Sequence, residues 1–312
     1  MKMKTIVFGV LYPKMQDFLK EYAVCINSQT DLDFELWLVN NNFSEVDTVR
    51  KLINSKIPIR ILDVPNPGTR GPTLWQHIIP LLASETKKHN VDVVIFTDTD
   101  DTFEIARVQK TKVAFDSGAD IVFTELVPIS SNGLVKGEAW YQSNVPSIAQ
   151  FTDIVSKNLL GLGHTAIRAE LLSKIYPVST DLVVTDWWIY SSLLAQGYQG
   201  HYLQNCVSFY RQHDDNIAGI RSRFDAEYIQ YGVNLKIQHY TELLKYMENS
   251  DHLKLVQEEM ERIKILDALL SDPRILARYM MNLNNFAKLE GRGLFWREEV
   301  DLKFVPTDLL KN

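Results

Sequence analysis

The sequence predicts an α/β protein: a mainly parallel sheet with helices on both faces, followed by a helical C-terminal appendage. Three observations lead there. Short runs rich in β-branched residues alternate with amphipathic stretches from Thr5 to Thr124, the order of a sheet built from βαβ units. One run, residues 91–96, is almost wholly apolar and ends in Asp98, Asp100 and Asp101; a strand buried on both faces reads this way. After Gly219 strand patterning disappears and helical periodicity takes over. With 312 residues the chain accommodates one large α/β domain, placed at 1–220, and an appendage at 221–312.

The elements follow in order. Residues 5–10 form the first strand; Lys2 and Lys4 precede it, but Tyr12-Pro13-Lys14 follows in place of a small-residue cleavage site, so a leader is not indicated. Residues 16–29 read as a helix with Phe18, Tyr22 and Cys25 or Ile26 on one face. Residues 34–39 give a second strand ending at Asn40-Asn41-Asn42, 46–53 a short helix, and 59–64 a third strand. A breaker-rich loop from Pro65 to Pro72 leads into a helix over 73–89 and then the acid-tipped strand. A helix over 107–117 and a strand over 120–124 extend the sheet. Residues 128–150, with Gly133, Gly137 and Pro146, lack periodicity, and a loop of that length is functional or mobile. Its Trp140 and Tyr141 either pin it to the core or form a lid or sugar platform. In the appendage Val256, Met260, Ile263, Leu266 and Leu270 mark an amphipathic stripe, Pro273 breaks the pattern, and another helix covers 275–288. The stripe suits association, acceptor docking, or a plain cover over the main core.

Composition narrows the class. Hydrophobic residues make up 46% and charged residues 23%, enough for a sizeable core. The net charge of −6 argues against a nucleic-acid partner. Cys25 and Cys206 sit in apolar surroundings without metal-ligand spacing, so a reducing, cytoplasmic setting is expected. No segment approaches the ~20 apolar residues of a membrane span. Peripheral contact with the inner face of a cell membrane, and homo-oligomerisation, stay open.

Three constellations carry chemistry. Carboxylates packed at Asp98, Asp100 and Asp101 repel one another unless a hard divalent cation holds them, or unless they cap the next helix. Asp98-Thr99-Asp100-Asp101-Thr102 also fits the D-x-D-x-T spacing of haloacid-dehalogenase-type phosphatases, but that signature follows a first strand, and here about three β/α units precede it. The second constellation is Thr185-Asp186-Trp187-Trp188, ahead of an apolar helical stretch. Thr185 or Asp186 serves as an N-cap, or Asp186 is a general base beside an aromatic platform. The third is Tyr210-Arg211-Gln212-His213-Asp214-Asp215-Asn216 at a strand end. There Arg211 can pair with phosphate, and His213 can join the carboxylates at a metal.

In this order the motifs resemble the family 2 glycosyltransferases, whose nucleotide-sugar-binding GT-A fold is Rossmann-like. The resemblance spans Thr5 to Gly219. It implies that Phe8-Gly9-Val10 and Asn40-Asn41 hold the nucleotide base, with Asn where the family usually has an acid, so uridine specificity does not follow. Asn66-Pro67-Gly68-Thr69-Arg70-Gly71-Pro72 is similar to the family's loop over the nucleotide, which brings in Gly71. Asp98-Thr99-Asp100 matches the D-x-D motif, and the resemblance implies Mn²⁺ or Mg²⁺ held by Asp98, Asp100 and His213. Gly163-His164-Thr165-Ala166 resembles the segment before the acceptor site. Thr185-Asp186-Trp187-Trp188 stands where the family has an acid-Asp-Trp motif, with Thr185 replacing the first acid and Asp186 as catalytic base. Tyr210-Arg211-x-His213-x-x-Asn216 matches a segment frequent in bacterial members.

The resemblance therefore implies an inverting transfer of a sugar from a nucleotide-diphosphate donor to a hydroxyl. The acceptor would be a glycan or lipid-linked glycan, in bacterial surface-polysaccharide synthesis. Donor contacts would come from Phe8, Gly9, Val10, Asn40, Asn41, Gly71, Asp98, Thr99 and Arg211, and acceptor contacts from Gly163, His164, Trp187 and Trp188. A sugar-nucleotide nucleotidyltransferase is the first alternative, but its Gly-rich phosphate loop after the first strand is replaced here by Val10-Leu11-Tyr12-Pro13-Lys14. A non-catalytic sugar-nucleotide or glycan-binding protein is the second, and it has no need of Asp186 as a base.

Overall fold

The computed structural model describes residues 2–141, 144–182, 184–213, 221, 223–247, 251–290, 294–306 and 308. The first half alternates as expected: β1 (Thr5–Leu11), α1 (Leu19–Asn27), β2 (Glu35–Asn40), α2 (Val46–Leu52), β3 (Ile59–Asp63), α3 (Gly71–Lys88) and β4 (Val93–Phe96). Then come β5 (Thr102–Phe103), α4 (Arg107–Asp116), β6 (Ile121–Ser130), β7 (Ile148–Ala149), α5 (Phe151–Ile154), β8 (Thr165–Arg168), α6 (Thr185–Ala195) and β9 (Gly200–Gln212). The C-terminal helices are α7 (Ala226–Leu244), α8 (Leu253–Leu270) and α9 (Pro273–Glu290).

One sheet runs in the order β3-β2-β1-β4-β8-β6-β9-β5, with β7 beside β9. The first four strands in that order are parallel. Strand β8, invisible to the sequence reading, lies antiparallel between β4 and β6, so the sheet is mixed rather than parallel throughout. Strand β6 is longer than expected because β9 continues to pair with it past a bulge between Thr124 and Glu125.

Alternation along the strands divides the core. Ile6, Phe8, Trp37, Val94 and Phe96 face α3, α6 and the C-terminal helices. Val7, Leu36, Leu38, Val93 and Ile95 face the layer of α1, α2 and α4. The appendage is welded to the first cluster. Trp187 on α6 stacks on His239 of α7 with ring centroids 3.8 Å apart, and the Tyr240 hydroxyl donates to the Val155 carbonyl at 2.9 Å. The stripe Val256, Met260, Ile263, Leu266 and Leu270 is buried in that same cluster; it covers the protein's own core. The expected boundary at 220 falls on residues outside those described. Trp140 and Tyr141 are 2% and 0% exposed, so they pin their loop and form no lid. Cys25 and Cys206 are free and buried. Among the described residues no helix is long and apolar enough to cross a membrane.

Candidate active site

A cavity of about 480 Å³ opens where the parallel strands end, walled on its far side by α7 and the C-terminal segment. Hydrogen bonds from the β4 loop to β1 shape its floor. Thr97 donates through its amide and hydroxyl to the Phe8 carbonyl at 2.8 and 3.0 Å, and the Thr99 hydroxyl donates to the Val10 carbonyl at 2.8 Å. Both threonines are therefore turned into the protein, and Asp98 and Asp100 are left facing the cavity. Gly163 makes room for the first acid: a Cβ there would stand 2.2 Å from Asp98 Oδ2. The crowding walls, Asp100 and Asp186 raise the Asp98 carboxyl to about 7, against the buried Arg107 cation. Asp98 remains open to cavity water, which moderates that rise.

On the other side of Thr99, His213 Nε2 meets Asp100 Oδ2 at 2.9 Å, and the His213 ring stacks on Phe18 at 5.4 Å. Arg211 lies beneath this pair and is 1% exposed. Its amide donates to Asp101 Oδ1 at 2.8 Å and its Nε to the Asp100 carbonyl at 2.6 Å. Nη1 donates to the Ser131 carbonyl at 2.9 Å, and Nη2 pairs with Glu21. Arg211 thus holds the acid loop in shape and does not reach the cavity, a correction to its expected place on the diphosphate. Asp101 is largely buried at the cavity's edge, its carboxyl raised by burial and by Asp100 and Asp98.

One end of the cavity, where the resemblance places the nucleotide, is built from Val10, Asn41, Asn42, Gly68, Arg70 and Gly71. The Asn41 side chain clasps the loop, accepting from the Gly68 amide at 2.6 Å and donating to the Thr69 carbonyl at 2.9 Å. Asn40 Oδ1 accepts from the Phe43 amide at 2.8 Å. Neither amide is offered to a base, and Asn42, at φ +66°, is the asparagine whose side chain is turned outward. Phe8 is a core residue, edge-on to Phe96 at 5.8 Å. Gly9 is also internal; a Cβ there would press on Thr99 Cγ2 at 3.0 Å.

Asp186 enters from the opposite wall. It sits in the first turn of α6, whose N-cap is Val184 with no side-chain cap bond, so neither Thr185 nor Asp186 is the cap. Its Oδ1 accepts from the Trp187 amide at 2.8 Å. Its Oδ2 lies beside Gly161, where a Cβ would stand 3.6 Å away. Burial raises the carboxyl to about 6, while the Trp187 amide, the neighbouring Asn158 and Arg297 act to lower it. Trp187 and Trp188 are 0% exposed and donate through Nε1 to the Ile154 and Tyr176 carbonyls. They form no acceptor platform, because successive helical positions point about 100° apart and both indoles point into the core. His164 lines the cavity but is buried, 2.7 Å from the Tyr141 hydroxyl. Burial and Arg107 hold its ring neutral, at about 3.

Several residues that shape the cavity had no sequence signal. Buried behind it, Arg107 donates to the carbonyls of Gly163 at 3.0 Å and Phe96 at 2.8 Å, tying the turn at 161–163 to the end of β4. The Asn158 backbone amide donates to the Trp296 carbonyl at 2.8 Å, which fixes the C-terminal segment as a wall beside Asp186. Buried polar side chains are ordinarily paired. Yet among the described residues Thr185 Oγ1, and Nε and Nη1 of Arg297, have no hydrogen-bond partner; both residues line this cavity with Asp186, and the Asn158 side chain faces the Asp186 carboxylate and acts to lower it.

The donor set suits a hard cation. Asp100 and His213 already converge, with Asp98 across the same cavity; carboxylate oxygen and imidazole nitrogen are ligands for Mn²⁺ or Mg²⁺. Among the described residues no group of three His, Cys, Asp or Glu converges into a complete metal cage, so a cation would take its remaining ligands from bound donor and water. Asn216 of the last motif lies outside the described residues.

No family model and no curated protein matches the chain. Solved structures do. S. aureus TarS 1–349 in complex with UDP-GlcNAc superposes with a TM-score of 0.53 at 13% identity, over 93% of this chain and 88% of that one. TarS 1–349 with UDP gives 0.56 at 14% over the same shares. The mannosyltransferase PcManGT from Pyrobaculum calidifontis, in complex with GDP-Man and Mn²⁺, gives 0.55 at 12% over 87% and 76%. The fold is therefore that of GT-A-type glycosyltransferases, including the C-terminal helices.

Proposed function

We propose that this chain is a metal-assisted, inverting glycosyltransferase that moves a sugar from a nucleotide-diphosphate donor to an acceptor hydroxyl. The observation that carries the reading is the placement of Asp186: a carboxylate raised to about 6 on one wall of a cavity whose other wall carries Asp98, Asp100 and His213. The fold shared with enzymes solved with UDP-GlcNAc and GDP-Man supports it.

The donor diphosphate lies against Asp98, Asp100 and His213, with exposed Lys14 and Arg70 at the rim. A divalent cation bound there supplies charge neutralisation to the departing nucleoside diphosphate. The acceptor hydroxyl sits between Asp186 Oδ2, which takes its proton, and Thr185 Oγ1, without a partner among the described residues, which orients its oxygen; the Asn158 side chain steadies the carboxylate. The oxygen attacks the anomeric carbon as the bond to the diphosphate breaks. A single displacement from the face opposite the leaving group inverts the configuration. A carboxyl near 6 is ionised at neutral pH yet basic enough to accept a hydroxyl proton in the transition state. Val10, Asn41, Gly68 and Gly71 cradle the nucleotide. The acceptor is a glycan or lipid-linked glycan, with surface-polysaccharide synthesis as the setting.

The test is a thermal-shift panel of nucleotide sugars with and without Mn²⁺, since a ligand that binds the folded state raises the melting temperature. Turnover of the hits with acceptor panels follows. Metal-dependent binding and release of nucleoside diphosphate are expected. Release of pyrophosphate from a sugar phosphate and nucleoside triphosphate would make the protein a nucleotidyltransferase. Tight binding without turnover against any hydroxyl acceptor would make it a binding protein.

A further inference from the structure

Arg297 is the most unusual side chain in the acceptor wall. It is 4% exposed and its backbone is in the left-handed region at φ +71°. A non-glycine residue is held there only when its surroundings enforce it, and such positions concentrate at ligand sites. The guanidinium has five donor hydrogens and cannot be neutralised. Among the described residues one hydrogen bond holds it, from Nη2 to the Tyr228 hydroxyl at 3.0 Å, and the rings of Tyr228 and Tyr231 lie under it at 5.3 and 5.9 Å. Its charge neighbour is Glu299, with Nη1 and Oε1 3.4 Å apart. That contact lacks hydrogen-bond geometry, because Nε, Nη1 and Glu299 Oε1 are all without a partner. A buried arginine in this state is costly unless a ligand completes it.

We infer that Arg297 binds an oxyanion, a phosphate or a carboxylate, carried by the acceptor beside the hydroxyl that is deprotonated at Asp186. Planar guanidinium is the side chain best matched to these groups, and both residues line one cavity. The inference rests on the acceptor entering at Asp186. The donor diphosphate is already assigned to Lys14, Arg70 and the Asp98–Asp100 loop, which leaves Arg297 to the acceptor. With a single hydrogen bond to break, the guanidinium is able to turn its unpaired edge onto the ligand. Trp296, next to it, presents an indole packed edge-on to Tyr210 at 5.8 Å, a wall against which the rest of the acceptor lies.

The experiment is equilibrium binding to the full chain, saturated with Mg²⁺ and nucleoside diphosphate. The probes are glycerol 3-phosphate, glucuronate and uncharged glycerol. Glycerol 3-phosphate or glucuronate binds the wild type and binds Arg297→Gln about 10- to 100-fold more weakly, the value of one or two charge-assisted hydrogen bonds. Nucleoside-diphosphate affinity stays unchanged. The stronger of the two anions identifies the group. If Arg297→Gln fails to fold, Arg297→Gln/Glu299→Gln removes both buried charges together, and the same loss is expected. Equal probe affinity in wild type and variant, glycerol binding as well as the anions, or no anion binding at all overturns the inference. Because the readout is binding, it is independent of turnover: an Asp186→Asn protein that stays active would sink the proposed chemistry and leave the Arg297 result to stand or fall separately.

Discussion

Replacing Asp186 with Asn separates a catalytic base from a structural acid by moving rate and stability in opposite directions. The carboxyl is raised from 3.8 to about 6 in the folded protein. The unfolded chain ionises it above about pH 4, so between pH 4 and 6 the folded state holds the extra proton. Stability from this group is complete below about 4, falls as pH rises through about 6, and stays at its lower value above that. At 1.36 kcal/mol per pH unit the gap is worth about 3 kcal/mol, a ceiling because Asp186 is partly open to cavity water. Asn keeps the acceptor for the Trp187 amide. It gives up the favourable charge in the first turn of α6, about 0.3–1 kcal/mol. In excess chelator at pH 8, Asp186→Asn is therefore more stable than the wild type by about 1–2 kcal/mol, and the difference vanishes near pH 4. Urea denaturation at the two pH values reads this directly. Turnover falls by roughly 10²–10⁴, while donor binding in calorimetry is retained. Wild-type turnover, or a less stable variant at pH 8, refutes the reasoning.

Other expectations follow from the same geometry. Wild-type turnover rises with pH through an acid limb no higher than about 6, since Asp186 must be ionised and a nearby cation only lowers its value; a limb above 7 assigns the base elsewhere. Chelation abolishes transfer, Mn²⁺ or Mg²⁺ restores it, and Asp100→Asn loses donor binding in calorimetry without unfolding. Gly163→Ala drives a methyl group to within 2.2 Å of Asp98 Oδ2, displacing that carboxylate, so donor affinity drops at least tenfold in a titration while circular dichroism is unchanged. Trp187→Ala opens a cavity beside His239 and loses the bond to Ile154. It destabilises by about 3–5 kcal/mol in denaturant melts, with acceptor KM of the folded fraction unchanged.

Strands β1 to β4 and their helices were legible because short, mostly apolar runs alternate with 3.6-period stretches between breakers, and the acid tip of β4 marked the site's centre. The insertion of β8 was not, since its Thr165–Arg168 is too short for periodicity and pairs with strands distant in sequence. Site residues divide the same way. Asp98, Asp100, Asp186, Gly163 and His213 reach one cavity as their motif order implied. Trp187, Trp188, Arg211, Phe8 and Asn40 carry motif identity for packing, because aromatic and arginine side chains beside a catalytic group look alike whether they face the cavity or the core. Asn158, Trp296 and Arg297 lie in no pattern at all. The pairing of Asn158 with Trp296, the Trp140 and Tyr210 rings against Trp296 and the Tyr228 hydroxyl on Arg297 bring them together, and nothing local in the chain announces it.

On the proposed chemistry, that pairing divides two specificities along the chain. The donor pocket would be encoded mainly by the first third of the chain. The surface that selects the acceptor would be completed by a short stretch more than a hundred residues after Asn158, joined to it by a backbone hydrogen bond from Asn158 to the Trp296 carbonyl. Within that stretch Phe295, Val300, Phe304 and Val305 are buried and belong to the core, whereas Trp296 and Arg297 line the cavity. On the proposed chemistry, exchanging residues 296 and 297 between relatives is therefore a direct route to a new acceptor with the same sugar.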